Sequence, residues 1–108
     1  MAKFRVYEII AAGAYEKWFA RFICRVSQHS KIKRFCLTKE LRCVEASVLF
    51  PNLEQELNTA CEMYKMGFAD AIVISGVEEW SEGERAFFEN LTTMKKVKVI
   101  DLSKECYI

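Results

Sequence analysis

The stretch "AIVIS", residues 71 to 75, is apolar up to its last residue. A short run of this kind reads as a strand buried on both faces, the situation at the centre of a parallel or mixed sheet. With 108 residues, 52% of them hydrophobic, the chain has enough apolar surface for one domain with a real core, and disorder is excluded. A single proline, Pro51, and no low-complexity segment, linker or internal repeat point to regular secondary structure over residues 1–108 as one compact α/β domain.

Upstream of the buried run, "KFRVYEII" (3–10) reads as a first strand rich in β-branched and aromatic residues, with Gly13 marking the turn after it. From Tyr15 the large apolar residues fall at Tyr15, Trp18, Phe19, Phe22, Ile23 and Val26, alternating steps of three and one. This is a helical stripe, and the spacing predicts that it faces the core. Lys17, Arg21 and Arg25 follow at steps of four on the other side, as a solvated basic stripe. On this reading the aromatic residues are buried and cannot stack on nucleic-acid bases.

"KIKRFCLT" (31–38) and "LRCVEASVLF" (41–50) read as two antiparallel strands joined around Lys39 and Glu40. The register places Phe35 opposite Val44 and Lys33 opposite Ala46 on one face, with Arg34 opposite Glu45 and Cys36 opposite Cys43 on the other. Pro51 and Asn52 open a helix, Asn52 as N-cap with Gln55 three residues on, and Gly67 as its stop. Leu53, Leu57, Ala60, Cys61 and Tyr64 form its apolar face. After the buried strand, Ser81 and Glu84 make a capping box for a helix that directs Phe87, Phe88, Leu91 and Met94 to the core, and "VKVIDL" (97–102) reads as the last strand. The resulting order, β-α-β-β-α-β-α-β, predicts an α+β sandwich: a ferredoxin-like β-α-β-β-α-β unit with a C-terminal α-β extension. The alternative is a three-layer Rossmann-like sheet carrying one antiparallel hairpin.

Five cysteines without a CxxC spacing fit neither a zinc site nor a secreted disulfide framework, so reduced thiols are expected, including at Cys36 and Cys43. The N-terminal apolar run is short and broken by Glu8, unlike a signal peptide, and no stretch has the length of a membrane span. A soluble, cytoplasmic protein without a membrane partner is the expectation.

Charge is divided along the chain, with a net of +7 over residues 1–43 and −6 over residues 44–108. Such asymmetry marks an interaction surface. Lys17, Arg21, Arg25, Lys31, Lys33 and Arg34 are the candidates to bind nucleic acid or an acidic partner, through phosphate contacts rather than base stacking. Glu78 and Glu79, with Asp101, are candidate ligands for Mg²⁺ at a strand end, which would make the chain a metal-dependent nuclease or phosphotransferase. Acidic residues there also complement a helix dipole. No glycine-rich phosphate cradle or P-loop lysine accompanies "SGVEEWSEGE". His29, in the polar "SQHSK", reads as an exposed loop residue, and no Ser-His-Asp or Cys-His spacing stands out. The reading is a small binding or regulatory module rather than an enzyme, needing no cofactor. Self-association of basic and acidic halves into a homo-oligomer is a further alternative.

Overall fold

The computed structural model describes residues 4–44 and 52–103. Four strands, β1 (Arg5–Glu8), β2 (Arg42–Val44), β3 (Ala71–Ile74) and β4 (Val99–Asp101), alternate with three helices, α1 (Trp18–Thr38), α2 (Leu53–Lys65) and α3 (Glu82–Lys95). A 3-10 turn, Val77–Glu79, precedes α3. The sheet order is β2-β1-β3-β4, and every pairing is parallel.

The period-two alternation of the central strands sorts their side chains onto two cores. Val6, Ile10, Ala71 and Val73 pack with Ile32 and Cys36 of α1, whereas Tyr7, Ile9, Ala11, Ile72 and Ile74 pack with Leu57, Ala60 and Cys61 of α2 and Phe88 and Leu91 of α3. Helices therefore cover both faces, and β3 is buried on both, as its apolar run requires. The chain leaves β1 toward β2 across one face and returns past β1 to β3 across the other. That reversal is what right-handed crossovers dictate when the direction of travel along the sheet changes.

Three sequence expectations are corrected. Among the described residues there is neither a ferredoxin-like order nor the antiparallel hairpin: residues 31–38 are the second half of α1, and β2 pairs parallel to β1. Phe35 and Val44 are therefore not cross-strand neighbours, and the expected Lys33–Ala46 and Arg34–Glu45 pairs involve positions outside the described residues. The helix continues through "SQHSK" because its polar side chains are used in tertiary bonds and do not form a turn. Gln28 is buried against the Ala11 backbone, and His29 meets Glu8. Cys36 and Cys43 still meet, thiol to thiol, across the junction of α1 and β2, and neither is in a disulfide.

The third correction concerns the stripe from Tyr15 to Val26. Instead of facing the core, Tyr15, Trp18, Phe19, Ile23 and Val26 are exposed, and only Phe22 is half-buried. Length explains the inversion. At 1.5 Å per residue the 21-residue α1 is about 31 Å long, more than twice a four-residue strand at about 13 Å. Its buried residues are Gln28, Ile32 and Cys36, so the first half of the helix outruns the sheet and its outer side has no layer above it.

The other helices follow their local signals. Asn52 accepts a hydrogen bond from Gln55 N, and Ser81 and Glu84 form a complete capping box. Met94 is exposed, because it lies off the arc of α3 that buries Phe88, Leu91 and Thr92.

Candidate functional site: the two faces of helix α1

Stepping back along α1 from Cys36 by four, four, three and four residues passes through Ile32, Gln28, Arg25 and Arg21. The basic residues expected on a solvated face thus continue the core-facing line of the helix. There they meet the loop after β1, at the point where the connections from β1 and β3 depart to opposite faces of the sheet. Crevices at such switch points, outside the carboxyl ends of the strands, are where open parallel sheets bind ligands.

A cleft of about 350 Å³ lies at this point, lined by Ile10 to Gly13, Arg21, Arg25, Leu53, Ser81 and Glu84. Two side chains brace the loop that borders it. Gln28 clamps the loop, its Nε2 donating to Ala11 O at 2.7 Å and its Oε1 accepting from Ala11 N at 3.2 Å. The same Nε2 reaches Glu79 Oε1 at 3.3 Å. Glu84 Oε1 accepts from both Gly13 N and Ser81 N at 2.8 Å, which ties the loop to the start of α3. Gly13 allows this approach, since a Cβ there would sit 2.4 Å from that carboxylate oxygen.

The arginines are held differently. Arg21 Nε donates to the Tyr15 carbonyl. Arg25 Nε is shielded from water and has no hydrogen-bond partner among the described residues. Burial, then the neighbouring Arg21 charge, pushes the Arg25 guanidinium down, while Glu84 acts in the opposite sense. A short distance along the helix, the Cys24 thiol is pushed up to about 11 by burial and then by Glu79, which leaves it protonated at neutral pH.

The outer face has a different chemistry. Trp18 is 68% exposed and Phe19 63%, and Trp18 stacks on Phe22 with centroids 5.9 Å apart and planes 8° from parallel. Residues 17–39 contain seven Lys or Arg and no Asp or Glu. The structure therefore divides the six basic candidates. Arg21 and Arg25 enter the cleft, and Lys31 and Arg34 line a separate groove of about 390 Å³ with Phe35, Lys39, Ser75 and Leu102. Lys17 and Lys33 are exposed.

Glu78, Glu79 and Asp101 are not brought together as the metal reading requires. Glu78 is exposed on the 3-10 turn, Glu79 is engaged by Gln28, and Asp101 Oδ1 accepts from Ser103 N at 2.9 Å. Among the described residues no three His, Cys, Asp or Glu side chains are grouped to hold a metal ion. No helix among them is long and apolar enough to cross a membrane.

Sequence reasoning missed Glu8, Gln28 and His29. Their signal was present: a carboxylate inside the strand-like "VYEII", and polar residues at helical spacing from Ile32, are the kind of buried polar group that demands a partner. Comparison with protein-family models, curated proteins and solved structures gives no match, so function is argued from the site alone.

Proposed function

We propose that the chain is a binding module for single-stranded nucleic acid, with the outer face of α1 as its platform. The observation that carries this reading is the exposed Trp18 and Phe19 on a segment of seven cations and no acids. Base stacking on exposed aromatics, combined with cations that follow the phosphates, is how sequence-tolerant single-strand binders work. Lys17, Lys31, Lys33 and Arg34 are exposed along the same helix and its entry, and supply the cations.

Fluorescence tests the proposal directly, because the only other tryptophan, Trp80, is 1% exposed. Titration with thymidine or uridine oligonucleotides at low salt should quench Trp18, and the apparent affinity should fall steeply as salt rises. Trp18→Ala should weaken binding by about 1–3 kcal/mol, measured by polarisation of a labelled oligonucleotide. A Lys17→Glu, Lys31→Glu, Arg34→Glu variant should abolish it. No binding at low salt would overturn the reading. If the sedimentation coefficient then rose with protein concentration and fell with salt, the occupant of α1 would be an acidic surface of a second copy, such as exposed Glu54, Glu62, Glu82 and Glu89.

A further inference from the structure

We propose that the switch-point cleft is a second, separate site that binds a small phosphomonoester. Three observations converge on it. The cleft sits where parallel α/β sheets receive ligands. Its two cationic walls, Arg21 and Arg25, lie one helical turn apart on the inner side of α1, so both guanidinium groups serve one small volume. Among the described residues Arg25 Nε has no acceptor, and a small movement of this cleft-lining side chain toward a ligand would supply one.

The lining also holds a carboxylate, and its role limits what can bind. Glu84 Oε1 is already committed to Gly13 N and Ser81 N. It fixes the loop and offsets one of the two positive charges, which leaves the lining net positive. A guanidinium pair presents planar, directional donors, and phosphate oxygens match that geometry better than a single carboxylate does. The volume of about 350 Å³ exceeds what a phosphate alone fills and leaves space for a small organic remainder. The remaining wall residues, Ile10, Ala11, Ala12, Gly13, Leu53 and Ser81, are uncharged and admit the ligand without adding charge.

This site does not depend on the nucleic-acid reading, since it lies on the inner line of α1 and uses none of Trp18, Phe19, Lys31 or Arg34. Thermal unfolding of the full chain should be followed with ribose 5-phosphate, with inorganic phosphate and with ribose at matched ionic strength. The midpoint should rise with both phosphate compounds, more with the ester, and not with ribose. ³¹P line broadening gives the affinity independently. Arg25→Gln should weaken it by roughly tenfold or more, and Arg25→Lys should recover part of the loss. Arg21→Gln supplies the same test should Arg25→Gln fail to fold. The midpoint rise with ribose 5-phosphate should be unchanged in Trp18→Ala, which lies outside the cleft lining, and this keeps failure of this site distinct from failure of the outer platform. An absent shift in the unaltered protein, or an equal shift in the arginine variants, would overturn the proposal. A rise with inorganic phosphate that the ester does not share would also overturn it, by limiting the cleft to the bare ion.

Discussion

Glu8, wholly buried at the end of β1, presents both carboxylate oxygens to His29 Nδ1, at 2.9 and 2.7 Å. This contact with both oxygens fixes the ring in orientation. The pair joins the central strand to the middle of α1, close to the Gln28 clamp on the next residue. His29→Ala should destabilise the fold by about 1–3 kcal/mol, because a buried carboxyl group loses a hydrogen-bond partner. A Glu8→Gln, His29→Ala cycle in urea should show that the two single costs do not add.

Gly76 has a left-handed backbone, with φ of +64°, between β3 and the 3-10 turn. A Cβ there would lie 2.5 Å from Glu79 Oε1 and 3.0 Å from Gln28 Cγ. Gly76→Ala should cost about 1–3 kcal/mol through backbone strain and displacement of the clamp. Chemical denaturation measures it, and Gly83→Ala, with open space around its Cβ position, is the control.

Acid sensitivity should trace to Asp70. The Arg5 backbone N–H donates to Asp70 Oδ2 at 2.8 Å, Arg5 Nε does so at 3.4 Å, and together they hold the carboxyl below its ordinary 3.8. A depressed folded value stabilises the fold above the unfolded value and is lost as pH falls through the folded one. The melting-temperature advantage over Asp70→Asn should therefore be full at neutral pH, begin to fall near pH 3.8 and be gone once pH is below the folded value.

Cys24 should alkylate slowly at pH 8, since its thiol is pushed up to about 11. Glu79 contributes to that rise, so Glu79→Gln should increase the labelling rate at Cys24, read by mass spectrometry of the modified peptide.

How legible the fold was depended on whether local signals agreed with tertiary burial. The buried β3, the Ser81–Glu84 capping box and the apolar faces of α2 and α3 all lie where short-range pattern and core position coincide. On α1 they conflict. Two helical lines run along it, Trp18–Phe19–Phe22–Ile23–Val26 and Arg21–Arg25–Gln28–Ile32–Cys36, and hydropathy selects the first as the inner one. The sheet is too short to cover the overhanging half, so the second line is inner, and it carries the cleft. The helical spacing of Gln28, Ile32, Phe35 and Cys36 was available in the sequence. It was obscured by reading "SQHSK" as a turn, when Gln28 and His29 are polar because their partners, Ala11 and Glu8, lie in and just after β1.

The central claim is that α1 leaves Trp18 and Phe19 exposed while Arg21 and Arg25 line the cleft. Iodide quenching of the single-tryptophan variants Trp80→Phe and Trp18→Phe tests it most directly. The protein retaining Trp18 should be strongly quenched with red-shifted emission, and the protein retaining Trp80 should be protected, as 68% and 1% exposure require. A protected Trp18 in the isolated chain would contradict the account and return the aromatic stripe to the core.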